Sequence, residues 1–222
     1  MNLALFDLDG TLIRGDSDHA FGEFMVTLGW VDAATHRRRN DAFYAQYQAG
    51  TLDINEYIDF TTNAWRRRTL AEQQAASARF MAEVMLPQLL PAAHALLDKH
   101  RAAGDLIAIV TATNEFITRP IAAALGVEHL IAVQLEQDDA GFATGRIRGV
   151  PSFRDGKIAR VSGWLADLGH VLDGFESSVF YSDSTNDLPL LDIVSEPVAT
   201  NPSPALEAIA QDRGWRILRL FA

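Results

Sequence analysis

"LALFDLDGTLI", Leu3 to Ile13, closes a short apolar run with two aspartates two residues apart, followed at once by a glycine and a threonine. Leu3 to Leu8 has the length and composition of a buried strand, and Gly10 ends it. Delivering Asp7 and Asp9 side by side crowds two like charges, which either raises their pKa values or calls for a cation between them. One isolated Asp after a strand is ordinarily a turn former or a helix cap. A calcium-binding EF-hand fragment fits poorly, because Gly10 is fourth in the motif rather than sixth and a strand precedes it.

Outward from this stretch the chain changes rhythm twice. From about residue 16 to 88 it reads as almost wholly helical, with "HAFGEFMVTLGW", "HRRRNDAFYAQYQAG", "DINEYIDFTTNAW" and "AEQQAASARFMAEVML" carrying apolar residues three to four apart. Pro91 suits the first turn of a helix that Gly104 stops. Beyond it strands and helices alternate: "DLIAIVT", "EFITRPIAAALG", "HLIAVQLE", a glycine-rich turn or hairpin at "DDAGFATGRIRG", a helix from about 156 to 168, "SVFYSD", "DLPLLD", "EPVAT", "PALEAIAQDRG" and "WRILRLF". Such alternation predicts an α/β fold with a doubly wound parallel sheet. The helical stretch does not fit it, so residues 16–88 are expected as an inserted all-helical cap on a core of 1–15 and 89–222.

Composition narrows the function classes. The 222 residues are 48% hydrophobic and 22% charged, and 19 Lys+Arg stand against 29 Asp+Glu for a formal charge of −10. That balance argues against a nucleic-acid partner. The absence of cysteine excludes disulfides, thiolate metal sites and a cysteine nucleophile. No apolar run approaches the ~20 residues that span a bilayer, and the first residues carry neither a basic flank nor a small-residue cleavage site. A soluble cytoplasmic protein with no membrane partner is expected.

In an open α/β sheet ligands bind beyond the carboxyl ends of the strands. Asp7 and Asp9, Thr111 after "LIAIV" and Asp183 after "VFYS" would therefore converge, with Asp187 close by. Oxygen ligands alone, with room left for a phosphate, suit Mg²⁺. Lys157 in "DGK" sits at a helix start, where the macrodipole disfavours a cation unless an anion offsets it; a solvated lysine near a turn is the plain alternative. Asp16 reads as the N-cap of the first cap helix, with Ser17 and Asp18 as alternatives. The arginines of "HRRRN" and "WRRRTL" are expected mainly on solvated helix faces. Of the aromatics from Phe21 to Phe60, most are expected in the cap core and one or two at the pocket. The six histidines form no metal-spaced pair and receive no catalytic role.

"FDLDGTL", "VTATN", "DGK" and "YSDSTNDLPLL", in this order, resemble the four motifs of the haloacid dehalogenase-like phosphatase superfamily, in its phosphoserine-phosphatase-like branch with a helical cap after the first motif. The resemblance covers essentially the whole chain and implies a Rossmann-like core. It implies a Mg²⁺-dependent phosphomonoesterase acting on a small phosphorylated metabolite, of the phosphoserine or histidinol phosphate class, through an aspartyl phosphate. Asp7 would be the nucleophile and Asp9 the general acid and base. Thr111 and Lys157 would hold the phosphoryl group. Mg²⁺ would be held by Asp7, the Asp9 carbonyl and Asp183, with Asp187 acting through a water. Asn186 would reach the phosphate or Lys157, the backbone at Ala112 would face substrate, and Asp16 stands where relatives keep an amine-sensing Glu. Ser182, Ser184 and Ala112 occupy places where relatives carry glycine. A phosphotransferase or mutase sharing the same intermediate, and a non-catalytic binder of phosphate ligands, are the competing readings.

Overall fold

The computed structural model describes residues 1–221. Strand β1 (Leu3–Phe6) lies at the centre of a six-stranded sheet. On one side stand β2 (Leu106–Asn114) and β3 (His129–Val133). On the other stand β6 (Ser178–Ser182), β7 (Glu196–Thr200) and β8 (Arg216–Leu218), giving the order β3-β2-β1-β6-β7-β8. Every pairing in it is parallel. Ala4 and Phe6 feed one hydrophobic cluster while Leu3 and Leu5 feed another on the opposite face. Cover on both faces is why β1 is an unbroken apolar run rather than an alternating one.

Helices α5 (Pro91–Ala103) and α6 (Glu115–Ala124) contribute Leu97 and Ile121 to the first cluster. Helices α7 (Asp155–Asp167), α8 (Leu188–Leu191) and α9 (Pro204–Asp212) contribute Leu165, Leu190 and Leu206 to the second. Between β1 and β2 run α1 (Ser17–Thr27), α2 (Ala33–Ala49), α3 (Ile54–Thr62) and α4 (Leu70–Phe80). Of these, α1, α3 and α4 join the first cluster through Phe21, Ile58 and Phe80, with Trp65 added from the turn after α3. Phe43 of α2 packs instead in a separate small cluster with Leu52 and Phe153. Trp65 stacks on Phe116 of α6 at 4.1 Å between ring centroids. No single helix among the described residues is long and apolar enough to cross a membrane.

Three expected elements differ in detail. The last cap helix does not run to Pro87 as one α-helix: after Phe80 it widens into a π-helical turn, Met81–Met85, and tightens into a 3₁₀ turn, Leu86–Gln88. Pro87 has no N–H to give to the carbonyl four residues back, so the α ladder cannot close there. "HLIAVQLE" is two strands: β3 ends at Val133, and β4 (Leu135–Gln137) leaves the sheet edge to form an antiparallel hairpin with β5 (Ala143–Ile147). Finally, β2 does not end at Thr111 but continues through "VTATN" to Asn114.

Candidate active site

The order of strands reverses at β1, which places a crevice beyond its carboxyl end, between β2 and β6. The Asp7 N–H still donates to the Tyr181 carbonyl at 2.9 Å, so Asp7 is held by the ladder itself. Leu8 then turns the chain, its carbonyl accepting from the N–H groups of Thr11, Leu12 and Ile13. Gly10 takes a positive φ of 73°, and a Cβ there would stand 2.3 Å from Asp183 Oδ2. Asn201 braces the same turn by donating to the Gly10 carbonyl at 2.9 Å. Gly10→Ala should therefore cost roughly 1–2 kcal/mol from its backbone alone and lower catalytic efficiency further by displacing Asp183. Denaturant unfolding and steady-state kinetics of that variant check both; unchanged kinetics would show that Asp183 tolerates displacement.

Lys157, in the first turn of α7, is 2% exposed and reaches back to the sheet. Its Nζ lies 2.9 Å from Asp7 Oδ1 and 2.7 Å from Asp187 Oδ1. Burial disfavours the ammonium, yet Asp187 and Asp7 outweigh it and raise its pKa above the ordinary lysine value. The turn that delivers it needs Gly156, whose Cβ would fall 2.1 Å from the Pro151 carbonyl oxygen. Burial pushes Asp7 up to about 7, with Asp187 and Asp9 adding to the shift and Lys157 opposing it. Asp9 is pushed up to about 6, first by burial and then by Asp16. Burial, followed by Asp7 and Asp187, holds Asp183 well above the usual carboxylate range.

Four carboxylates facing one lysine leave an excess of negative charge. Asp187 is fully engaged, since its second oxygen accepts from Ser182 Oγ at 2.7 Å. The Asp183 carboxylate, by contrast, has no hydrogen-bonding partner among the described residues, although its backbone carbonyl accepts from the Ser203 N–H at 2.9 Å. No three acidic or histidine side chains among the described residues gather as a metal cage. What the site offers a hard cation is the Asp7 and Asp183 carboxylates, supplemented by backbone oxygen. A two-carboxylate site of this kind fits Mg²⁺, which usually keeps several waters and takes one or two carboxylates plus substrate phosphate.

A cavity of about 260 Å³ opens over these groups. Asp7, Asp9, Thr111, Ala112 and Asp183 line its floor. Thr113 joins them: two residues beyond Thr111 on the same strand, it points the same way and donates to Asp9 Oδ2 at 2.9 Å. Thr111 sits 3.5 Å from that oxygen. Thr11 donates to Asp7 Oδ2 at 3.2 Å, and the Ser17 N–H donates to Asp9 Oδ1 at 2.6 Å. The threonine alternation in "VTATN" is the signal that identifies Thr113; nothing local in the sequence marks the Ser17 N–H as a partner of Asp9, or Asn201 as a brace of the turn.

Asp16 is both a helix cap and part of the cavity wall. It caps α1 by accepting from the His19 N–H at 2.8 Å, and it also lines the cavity, where burial raises its pKa. Four cap aromatics, Phe43, Tyr44, Tyr47 and Tyr57, form the roof with Phe153 from the core, more than the one or two expected. Among the described residues, no arginine or lysine lines the cavity. Arg37 and Arg66 pair with Glu23 and Asp59, Arg39 lies over the Phe43 and Phe60 rings, and Arg68 lies over Trp30. Asn186 is turned to the cap: its Nδ2 donates to the Tyr47 carbonyl at 3.0 Å. Ser182 and Ser184 are structural partners here, Ser182 holding Asp187 and Ser184 Oγ accepting from the Asn186 N–H at 3.2 Å. His100 is held by Asp105 and the Tyr181 hydroxyl, and it does not line the cavity.

This arrangement of carboxylates and lysine, at the strand ends of a parallel sheet and under helices, defines a class. A family model described as haloacid dehalogenase-like hydrolase matches residues 4–192, and the chain belongs to that family. Within it the chain is a phosphatase. It is 43% identical over 217 residues to a histidinol-phosphatase of Neisseria meningitidis serogroup C (strain 8013), covering 98% of both chains. It is 29% identical over 220 residues to a phosphoserine phosphatase of Mycobacterium tuberculosis (strain ATCC 25618 / H37Rv), covering 96% of this chain and 69% of that one. Among solved structures, a protein of unknown function from Bordetella pertussis Tohama I superposes with a TM-score of 0.93 at 48% identity, covering 99% of each chain.

Proposed function

We propose that the chain is a Mg²⁺-dependent phosphomonoesterase working through an aspartyl phosphate on Asp7, with residues 16–88 as a cap over a core of 1–15 and 89–222. Its substrate is a small phosphorylated amino alcohol of the histidinol phosphate type. The observation that carries the substrate reading is the cavity wall: aromatic rings and the Asp16 carboxylate, with no arginine or lysine among the described residues to receive a carboxylate. Phosphoserine brings a carboxylate and an ammonium; an aminoalkyl phosphate bearing a flat ring brings only the groups this wall can meet. The relative named a histidinol-phosphatase, similar over its full length, supports the same reading.

In the first half-reaction a carboxylate oxygen of Asp7 attacks phosphorus, the ester P–O bond breaks, and Asp9 gives its proton to the departing alkoxide. A water then attacks the aspartyl phosphate while Asp9 takes a proton from it, and phosphate leaves with Asp7 restored. Lys157 holds Asp7 in place and balances charge, and Thr111 and the backbone at Ala112 face the phosphoryl oxygens. Electrostatic positioning of this kind is the main contribution a protein makes to phosphoryl transfer. Asp7 and Asp183 with the Asp9 carbonyl would hold Mg²⁺, which when bound supplies Lewis-acid neutralisation of the phosphoryl charge. The pKa of about 6 at Asp9, above the usual carboxylate value, favours holding a proton for that role.

Phosphate release from histidinol phosphate, phosphoserine, sugar phosphates and nucleotides, with Mg²⁺ and with chelator, tests the proposal. Mg²⁺-dependent turnover that favours histidinol phosphate over phosphoserine is expected; a preference for phosphoserine would overturn the substrate reading. Transfer of phosphate to an added alcohol in preference to water would make the enzyme a phosphotransferase. Asp9→Asn should lower kcat by about 10²–10⁴ on an alkyl phosphate, and by much less on p-nitrophenyl phosphate, whose leaving group needs no proton. Equal losses on both substrates would remove Asp9 from the role of acid.

A further inference from the structure

Arg154 stands just before α7 with φ 51° and ψ −126°, a backbone conformation that belongs to glycine. Asn201 is the one other non-glycine residue with positive φ among the described residues, and asparagine tolerates that region where arginine does not. Strain held at one position points to a side chain that the surroundings need in that place. The Arg154 side chain crosses from the core to the cap. Its Nε donates to Asn186 Oδ1 at 3.2 Å, its terminal nitrogen donates to the Gly50 carbonyl at the C-terminal end of α2, and its guanidinium lies over the Phe153 ring, 4.8 Å from the centroid.

The cap side of this bridge is built to receive a cation. A helix C-terminus presents unpaired carbonyls and the negative end of the macrodipole. Arg154 takes the carbonyl of Gly50, and Asn186 takes that of Tyr47. Gly50 leaves the space open, since a Cβ there would come within 3.2 Å of the guanidinium. The core side leads to the reacting groups. Asn186 is tied to Ser184, and Ser182 in the same segment holds Asp187, which holds Lys157 against Asp7. Tyr47 and Phe153 both line the cavity.

We propose that Arg154 is a positioning residue that clasps the end of α2 to the segment carrying Asp183 and Asp187, and so sets how large a leaving group the cavity accepts. The inference rests on the proposed phosphatase reading for its kinetic part only. In the full chain, Arg154→Gly removes the side chain and relieves the backbone; Arg154→Lys keeps the charge but cannot hold both partners. Three quantities are read: the melting temperature, amide hydrogen exchange across residues 46–52, and kinetics on histidinol phosphate and on the bulkier 4-methylumbelliferyl phosphate. For Arg154→Gly the expected result is an unchanged or higher melting temperature and faster exchange at residues 46–52. KM for the small ester should rise by about tenfold, the loss of one charge-assisted hydrogen bond, and the ratio of kcat/KM for the bulky ester over the small one should rise. Arg154→Lys should change exchange and selectivity in the same direction by less. Unchanged exchange and an unchanged selectivity ratio in both variants would overturn the clasp, as would a fall in stability with selectivity intact. If the unaltered protein hydrolyses no phosphomonoester, the functional proposal fails while hydrogen exchange still decides the clasp.

Discussion

Asp7→Asn should cut phosphate release by at least about 10⁴-fold and leave the fold intact. The size of the effect follows from chemistry: an amide is not a nucleophile towards phosphorus, and the second half-reaction has nothing to act on if no aspartyl phosphate forms. Survival of the fold follows from geometry. Asparagine has the shape of aspartate, so its carbonyl oxygen can still face Lys157 or Thr11, which lie 2.9 Å and 3.2 Å from the Asp7 carboxylate. Lys157 keeps Asp187 at 2.7 Å as its counter-charge. The substitution also removes one member of a crowded set, in which burial and the neighbouring carboxylates push Asp7 up to about 7. The metal-free variant should therefore melt no lower than the parent protein at pH 8. Acid-quenched phosphoenzyme, measurable with labelled substrate, should vanish with the turnover. Turnover within tenfold of the parent would assign the nucleophile to another residue.

That prediction rests on residues visible in the sequence, and the reason is local. Strand ends punctuated by Asp, Gly and Thr declare themselves, because burial on both faces makes each strand an apolar run and the turn after it must be polar. So Asp7, Asp9, Thr111 and Asp183 could be placed at one rim from order alone, and the structure gathers them with Lys157, which lies 150 positions after Asp7. Contacts that depend on how helices settle over the sheet were not readable. The cap aromatics all recur at helical spacing, yet Phe43, Tyr44, Tyr47 and Tyr57 turn to the cavity while Phe21 and Phe24 of α1 pack in the core, and nothing in the spacing separates pocket-facing rings from packed ones. Arginine has the same difficulty: three in a row on α2 cannot reveal that Arg39 lies over aromatic rings while Arg37 pairs with Glu23. The resemblance implies that Asn186 reaches the phosphate or Lys157; in this structure its Nδ2 donates to a carbonyl 139 positions away, on a helix whose seating no spacing rule predicts.

The largest loss of stability is expected from Lys157→Met, about 3–5 kcal/mol, the cost of leaving buried carboxylates without their counter-charge. Lys157 is 2% exposed, Asp7 6% and Asp187 2%, so water cannot take over the role of the ammonium. The sign of the pH dependence can be worked out from the shifts. Lys157 has a folded-state pKa raised above its unfolded value, so its contribution is complete throughout neutral pH and is lost only in strong alkali. Asp7 is also raised, from 3.8 to about 7, and removing Lys157 takes away the influence that lowers it. A raised acid stabilises the fold below its unfolded pKa, and that contribution disappears as pH climbs through the folded value. The deficit of the metal-free variant against the parent should then be small near pH 5, where Asp7 is protonated, and greatest near pH 8. Pairing Lys157→Met with Asp187→Asn should recover part of the loss, because it removes one of the two stranded charges. Denaturant unfolding of the parent, the single variant and the double variant at both pH values gives all of these quantities. A deficit independent of pH would show that Lys157 stabilises the fold by packing, through the Phe180 ring 5.6 Å from its nitrogen, and not by neutralising the carboxylates on which the proposed chemistry depends.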